Sequence, residues 1–169
     1  MTINLKNFLN TKPKLSKMGE FQELKPIDGL EISSFSADLY KNGRDDLALF
    51  YFKDGANYSA MYTSNSIVSQ TIEWNKKSNK SFTKALLVNT KNANTFTGDQ
   101  GVEGVDLVAK NLSRILTLRE SKSDQGVSET VKMKELIFAS TGVIGEKFPA
   151  DNIVSSLQPL VDKLRDDHN

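Results

Sequence analysis

The sequence predicts a mixed α/β fold of the α+β type, in which the strands are largely antiparallel. Two hairpin signals, Asn42-Gly43 and Asp54-Gly55, lie about 12 residues apart and favour antiparallel neighbours over a Rossmann-like alternation. Between them, Leu47 to Phe52 is a continuous apolar run, which is typical of a strand buried on both faces. Two later segments carry apolar residues at helical spacing, so helices are expected to cover the sheet.

The strands of the first half follow from these signals. Alternation over Leu30 to Leu39 predicts one or two short strands. Because Asn-Gly tolerates positive φ, a tight hairpin is expected at residues 41–44. The Asp54-Gly55 turn then predicts a returning strand from Tyr58 to Thr63.

The second half alternates between strands and helices. Residues 67–74 fit a strand or a short helix equally well, while Ala85 to Val88 and Leu136 to Ala139 read as buried strands. Apolar positions at helical spacing predict a helix at about 102–118 and another at about 150–165. Pro159 lies inside the second helix and predicts a kink or a break there.

The length of 169 residues fits one domain, with residues 1–28 as a loose N-terminal arm and 29–169 as the folded unit. The composition limits which side chains could take part in catalysis. The sequence has no Cys, and His168 is its only His. Ser–His–Asp and Cys–His catalysis and Cys- or His-based metal sites are therefore excluded within this chain. Hydroxyl, carboxylate, ammonium and backbone amide groups remain, and no cofactor or metal is expected.

The charge pattern gives little sign of a macromolecular partner. The formal net charge is +1, and the one basic cluster reads as a solvated connection, so no nucleic-acid partner is expected. That cluster consists of Lys76, Lys77, Lys80 and Lys84. No apolar stretch is long enough for a membrane span or a secretory signal, so we expect no membrane contact and a cytoplasmic location.

Two strand-to-helix junctions concentrate small hydroxyl and amide residues: Val88 to Gly101, and Ala139 to Gly145. Where a strand ends, main-chain N–H groups lose their ladder partners and can bind a phosphate or a developing oxyanion. Neither junction matches a P-loop or a dinucleotide-binding fingerprint. Because Asn, Thr and Gly also gather in ordinary turns, the residues alone leave both readings open.

Four segments stand in order over about residues 29–155: GRDDLAL at 43–49, SAMYTSN at 59–65, the NxxNANxxTGxQG run at 89–101, and ASTGVIG at 139–145 with Pro149 following. Together they resemble the motifs of the ornithine acetyltransferase family. The resemblance departs at Lys91, where the family often has Gly.

The resemblance implies a reaction and a mechanism. Such enzymes transfer acetyl from N2-acetylornithine to glutamate in arginine biosynthesis, and acetyl-CoA is a further acetyl donor to consider. A precursor cuts itself before a Thr, and this N-terminal Thr of the β chain is the nucleophile that forms an acyl-Thr intermediate, with its own α-amine as base. The oxyanion hole carries over to the Thr141 hydroxyl and the Gly142 N–H.

The resemblance also implies an architecture: an αββα sandwich, assembled as an α2β2 heterotetramer from this α chain and a β chain. The self-cleavage site is then expected beyond residue 169, so the chain reads as an α chain truncated before it. Two alternatives stay open. One is a related N-terminal-nucleophile aminopeptidase or amidohydrolase, and the other is a non-catalytic scaffold fragment.

Overall fold

One four-stranded sheet and three helices make up the part of the chain that the computed structural model describes, residues 26–78, 81–121 and 130–166. All but residues 26–28 of the expected N-terminal arm lie outside these ranges. A short 3-10 turn, Met133–Glu135, precedes the last strand. In chain order the elements are β1 (Leu30–Phe35), β2 (Leu47–Asn57), α1 (Gln70–Lys77), β3 (Phe82–Asn89), α2 (Gly98–Glu120), β4 (Leu136–Ser140) and α3 (Ala150–Asp162).

The strands follow one another across the sheet in the order β1-β2-β3-β4. β1 pairs with β2 and β2 with β3 in antiparallel fashion, whereas β4 runs parallel to β3. The predicted α/β class with largely antiparallel strands is therefore confirmed. The parallel pair has a consequence for function, because the carboxyl ends of β3 and β4 lie at the same edge of the sheet.

Only one face of the sheet contributes to the hydrophobic core. Its side chains include Leu49, Leu87 and Phe138, and they pack with the apolar stripes of α2 and α3. The side chains of the opposite face stand outside this core cluster, and apart from buried Leu30 and Lys84 they are half-buried or exposed. The apolar residues of that opposite face include Leu30, Ile32, Ala48, Phe50, Phe52, Leu86, Val88, Ile137 and Ala139.

The two predicted helices are present with somewhat different bounds. In α2 the buried positions include Val105, Val108 and Leu112, which are three and four residues apart as the periodicity predicted. Pro159 does not break α3; it lies in the last turn, where the helix is about to end. Within the described residues, no helix is long and apolar enough to cross a membrane.

The segment that the sequence left undecided forms helix α1, which covers the outer edge of β4. Ser69 is its N-cap and accepts a hydrogen bond from the Thr71 N–H. Asn75 donates to the Phe138 carbonyl at 2.8 Å and accepts from the Phe138 N–H at 2.9 Å. Trp74 Nε1 donates to the Leu136 carbonyl at 3.1 Å. These side chains occupy backbone groups that an edge strand would otherwise leave unpaired.

Both predicted tight hairpins were wrong, although the antiparallel pairing was right. The β1–β2 connection covers residues 36–46, and the carboxylate of buried Asp46 organises it by accepting the N–H of Ala37 at 2.7 Å and of Leu39 at 2.8 Å. At Gly55 the chain does not turn back. β2 continues to Asn57 through an irregularity between Tyr51 and Ala56, so residues 58–63 form no strand.

The lysine cluster read as a solvated connection is also corrected in part. Lys84 is only 2% exposed, and its Nζ donates to the Lys53 carbonyl at 2.7 Å. Lys76 pairs with Glu73 at 3.0 Å, and Lys80 lies outside the described residues. A position inside a strand, next to Thr83 and Ala85, buries Lys84 despite its charge, so Lys84 does not share a basic surface with Lys76 and Lys77.

Candidate functional site

The two polar strand-to-helix junctions meet at one edge of the sheet. They follow the neighbouring parallel strands β3 and β4, and main-chain hydrogen bonds continue the pairing beyond the strand ends. The sequence singled out each junction but did not predict that they lie side by side. The bonds run from Thr141 N to Asn89 O (3.1 Å), Val143 N to Lys91 O (2.6 Å), Ala93 N to Val143 O (3.0 Å) and Gly145 N to Thr95 O (2.8 Å).

The buried side-chain amide of Asn89 holds the two junctions together. Asn89 is 4% exposed, and its Oδ1 accepts from Ser140 Oγ at 2.6 Å. Its Nδ2 donates to the Asn92 carbonyl at 3.0 Å. Asn92 is equally buried and donates to the Lys147 carbonyl at 3.2 Å. Because the side-chain amides of Asn89 and Asn92 both have hydrogen-bond partners, both loops are held in place.

Gly142 lies against the main chain of Lys91 and has a backbone φ of +134°. A Cβ built on Gly142 would stand 2.0 Å from the Lys91 carbonyl oxygen. Lys91 itself has a φ of +77°, in the left-handed region that favours glycine. The departure from the family pattern at this position therefore keeps a glycine-like conformation.

Two hydrogen-bond donors remain available at this point. Thr141 and Gly142 are exposed. Within the described part of the chain, neither the Thr141 hydroxyl nor the Gly142 N–H makes a hydrogen bond. The donors belong to consecutive residues in a loop that is fixed on both sides, and such donors can bind an anion or a developing oxyanion.

The NAN run itself is structural, which the sequence did not reveal. Asn94 is fully buried, donates to the Gly101 carbonyl at 3.2 Å and accepts from Thr97 Oγ1 at 2.7 Å. A Cβ on Gly101 would stand 2.0 Å from Thr97 Oγ1. The Asn-x-x-Thr-x-x-x-Gly spacing therefore fixes the loop to the first turn of α2. The sequence signal for this role is the spacing of Asn94, Thr97 and Gly101, which are three and four residues apart at the start of a helix.

The side-chain amide of Gln100 joins the first turn of α2 to the loop before α3. Gln100 donates from Nε2 to the Phe148 carbonyl at 2.9 Å and accepts the Phe148 N–H on Oε1 at 3.1 Å. The start of α1 is attached to the same region, since Ser69 Oγ donates to the Ala93 carbonyl at 2.8 Å. The glutamine of the TGxQG segment therefore acts on the loop before α3 and not on a ligand.

The SAMYTSN segment at 59–65 is an exposed stretch that leads into α1. Met61 is 99% exposed. At its start, partial burial raises the pKa of Tyr58, and the neighbouring Tyr62 raises it further. Tyr58 therefore stays neutral at physiological pH and is a hydrogen-bond donor or acceptor, not a base.

Within the described ranges, the Asp and Glu residues form no group of three that could hold a metal ion.

The comparison with known proteins decides the family. The sequence profile of the ArgJ family matches residues 31–169. The chain belongs to the ArgJ family. It is 32% identical over 136 residues to the arginine biosynthesis bifunctional protein ArgJ of Gluconobacter oxydans, which covers 80% of this chain and 29% of that protein. The Caulobacter vibrioides protein of the same name is 29% identical over 151 residues, covering 87% and 34%. The chain thus spans about a third of these relatives.

Solved structures share the fold of this ArgJ-family chain. An ornithine acetyltransferase from Mycobacterium tuberculosis, solved with ornithine, superposes with a TM-score of 0.71 over 83% of this chain and 69% of its own, at 22% identity. The argJ protein of Bacillus halodurans superposes with a TM-score of 0.65 over 78% and 62%, again at 22% identity. The expected ornithine acetyltransferase-like fold is confirmed.

The arrangement limits what this ArgJ-family chain can do chemically. Thr141 and Gly142 can donate to an oxygen that gains negative charge, but they offer no base and no activated nucleophile of their own. The amides around them, Asn89, Asn92 and Asn94, hold the loops through hydrogen bonds to main-chain carbonyls.

Proposed function

We propose that this chain supplies the oxyanion hole of an ornithine acetyltransferase, which moves the acetyl group of N2-acetylornithine to glutamate in arginine biosynthesis. One observation carries the proposal: the Thr141 hydroxyl and the Gly142 N–H are exposed donors at the junction of two fixed loops. Family membership supports the acetyl-transfer class, and the relatives are named arginine biosynthesis bifunctional proteins.

The proposed mechanism uses an N-terminal Thr of a β chain as nucleophile. Its hydroxyl oxygen attacks the acetyl carbonyl while its own α-amine takes the proton, and the carbonyl oxygen becomes an oxyanion. The Thr141 hydroxyl and the Gly142 N–H donate to that oxyanion. Collapse expels ornithine, whose amine takes up the proton, and leaves an acyl-Thr ester. The neutral amine of glutamate then attacks the ester through a second oxyanion in the same hole; collapse breaks the ester bond to Thr, the amine proton passes through the Thr α-amine to the Thr oxygen, and N-acetylglutamate leaves.

The magnitude of this stabilisation is large enough to matter. Each preorganised donor to an oxyanion contributes about 2.7–4 kcal/mol to the transition state. The donors need no reorganisation during the reaction, because Thr141 N is bonded to the Asn89 carbonyl and Val143 N to the Lys91 carbonyl. Gly142 lies between these two fixed points.

The sheet suggests where the rest of the enzyme binds. One face lies under α2 and α3, while Phe50, Leu86, Val88 and Ile137 on the other face stay only half-buried. We propose that a second sheet, contributed by the β chain, covers this face and completes the αββα sandwich. The relatives are about three times as long as their match to this chain, which leaves ample sequence for such a layer. Two such αβ units would form the α2β2 heterotetramer.

The remaining parts of the proposal concern the acetyl donor and the cellular compartment. The reaction as written needs no cofactor, and acetyl-CoA is a second acetyl donor to be tested in the same assay. We place the reaction in the cytoplasm, which cell fractionation would check. A hydrolase of the same fold would use the same oxyanion donors but would pass the acyl group to water.

A tag on this chain in its native cells would retrieve the assembled protein for the deciding experiment. Intact mass should reveal a co-purifying chain that begins with Thr. Incubation with acetylornithine and glutamate should form N-acetylglutamate and ornithine. Release of acetate without transfer to glutamate would instead indicate an amidohydrolase. A complex that neither transfers nor hydrolyses the acetyl group would refute the proposal and support a scaffold role.

A further inference from the structure

A cleft of about 310 Å³, which the proposed reaction does not use, lies beside the loop that follows β3 and contains Lys91. The β1–β2 connection, the loop before α3 and the first turn of α3 form its other walls. Three lysines line it, Lys41, Lys91 and Lys147, together with the carboxylates of Asp38 and Glu146. Its charge is therefore net positive.

The backbone of this cleft is strained at three of its five charged residues. Lys41 has a φ of +51°, Lys91 of +77° and Asp38 of +56°. Side chains other than glycine rarely adopt such values, and lysine gains nothing from them locally. Strained residues persist where the surrounding structure enforces them, and they cluster at ligand clamps. The bond from Val143 N to the Lys91 carbonyl enforces the conformation of Lys91.

The three ammonium groups are not paired with the carboxylates of the cleft. Among the residues that the structure describes, none of them forms an ion pair or a side-chain hydrogen bond. The Glu146 carboxylate accepts from Asn92 Nδ2 at 3.3 Å. Like charges around one cleft repel each other, and an anion carrying two charges would relieve that repulsion.

We propose that this cleft binds the phosphate group of a phosphorylated small molecule. Lysine is a common phosphate ligand, and a dianion matches several ammonium groups better than a single carboxylate does. The start of α3, which reaches the cleft at Pro149 and Asn152, adds the positive end of a helix. The proposal is independent of acetyl transfer, because its readout is binding.

Calorimetric titration of the purified protein with inorganic pyrophosphate and with coenzyme A tests the proposal, and glutarate provides a dicarboxylate for contrast. Pyrophosphate should bind more tightly than glutarate. Coenzyme A binding at the same site would identify a phosphate source that also carries acyl groups. Failure of both phosphate probes to bind would overturn the proposal, as would a preference for glutarate.

The variant Lys91→Gly makes the test specific. It removes the ammonium group, yet glycine favours the φ of +77°, so the melting temperature should be kept or raised. Affinity for pyrophosphate should fall on the order of tenfold, the loss of one charged contact. Lys41→Gly, at φ +51°, should weaken binding in the same way. Lys110→Ala, on the exposed side of α2, should bind as the unaltered protein does. Unchanged affinity in both glycine variants would place the phosphate elsewhere.

Discussion

Gly142 and Lys91 are in direct main-chain contact: a Cβ on Gly142 would lie 2.0 Å from the Lys91 carbonyl oxygen and 2.1 Å from its carbon. The neighbouring Val143 N–H donates to the same carbonyl at 2.6 Å. The loop that carries the proposed oxyanion donors is thus seated on the loop that follows β3. This contact requires glycine for space as well as for its φ of +134°.

Gly142→Ala should therefore displace the loop. The backbone cannot yield as a flexible side chain would, so the Gly142 N–H should move away from the oxyanion position. We expect acetyl transfer to fall by about 10²-fold or more, together with a lower melting temperature. Steady-state rates and thermal melts on the same preparation would measure both effects.

Gly145→Ala is the matched control for that variant. Gly145 lies in the same loop and has a φ of +81°, but nothing stands within 4 Å of the position of a Cβ. It should show the cost of backbone strain without the clash. If Gly142→Ala reduced the rate no more than Gly145→Ala does, the contact with Lys91 would have no catalytic importance.

Asn94→Ala should destabilise the protein. Asn94 is fully buried, and its removal would leave the Gly101 carbonyl and the Thr97 hydroxyl without their partner. Such a loss costs about 1–3 kcal/mol in the free energy of unfolding. Denaturant titration would measure it. Asn111→Ala removes an exposed bond to the Leu107 carbonyl and should cost far less. Equal losses in the two variants would contradict the structural role of the NAN run.

Some elements could be predicted because their signal is local. The stripe of Val105, Val108 and Leu112 reports the buried side of a helix directly. The apolar run beginning at Leu47 likewise reports a central strand. The Asp54-Gly55 signal failed because the strand pairing, and not the turn propensity, decided the path of the chain. Gly55 serves instead a local irregularity within β2, packed beneath the ring of Phe82.

The geometry of the site could not be predicted in the same way. Asn89 and Ser140 are 51 residues apart, and they meet only because β4 adds to β3 in parallel. Nothing in either segment specifies that pairing. The family resemblance assigned Thr141 and Gly142 to the oxyanion hole, which stays a prediction. The buried roles of Asn92 and Asn94 needed the structure, because an amide in a loop can serve a ligand or the backbone equally well.

Phe50→Arg should separate this chain from its proposed β-chain partner. Phe50 lies half-buried on the sheet face that stands outside the core, so the chain's own fold should survive. A charge there would have to be buried under a second sheet without a counter-ion, which is strongly unfavourable. Co-purification of the tagged chain should fall sharply. Leu118→Arg, at an exposed position of α2, should leave it intact. Undiminished association of the Phe50 variant would exclude this face as the docking surface.

The most direct test of the account is the turnover number of Thr141→Ala in the assembled enzyme, measured per folded and processed molecule beside Thr141→Ser. Because the Thr141 hydroxyl makes no hydrogen bond within the described residues, its loss should leave the melting temperature unchanged. The account predicts that kcat for acetyl transfer falls by about 10²–10³-fold while KM changes little, and that serine restores most of the rate. A Thr141→Ala enzyme that is folded, processed and fully active would contradict the account.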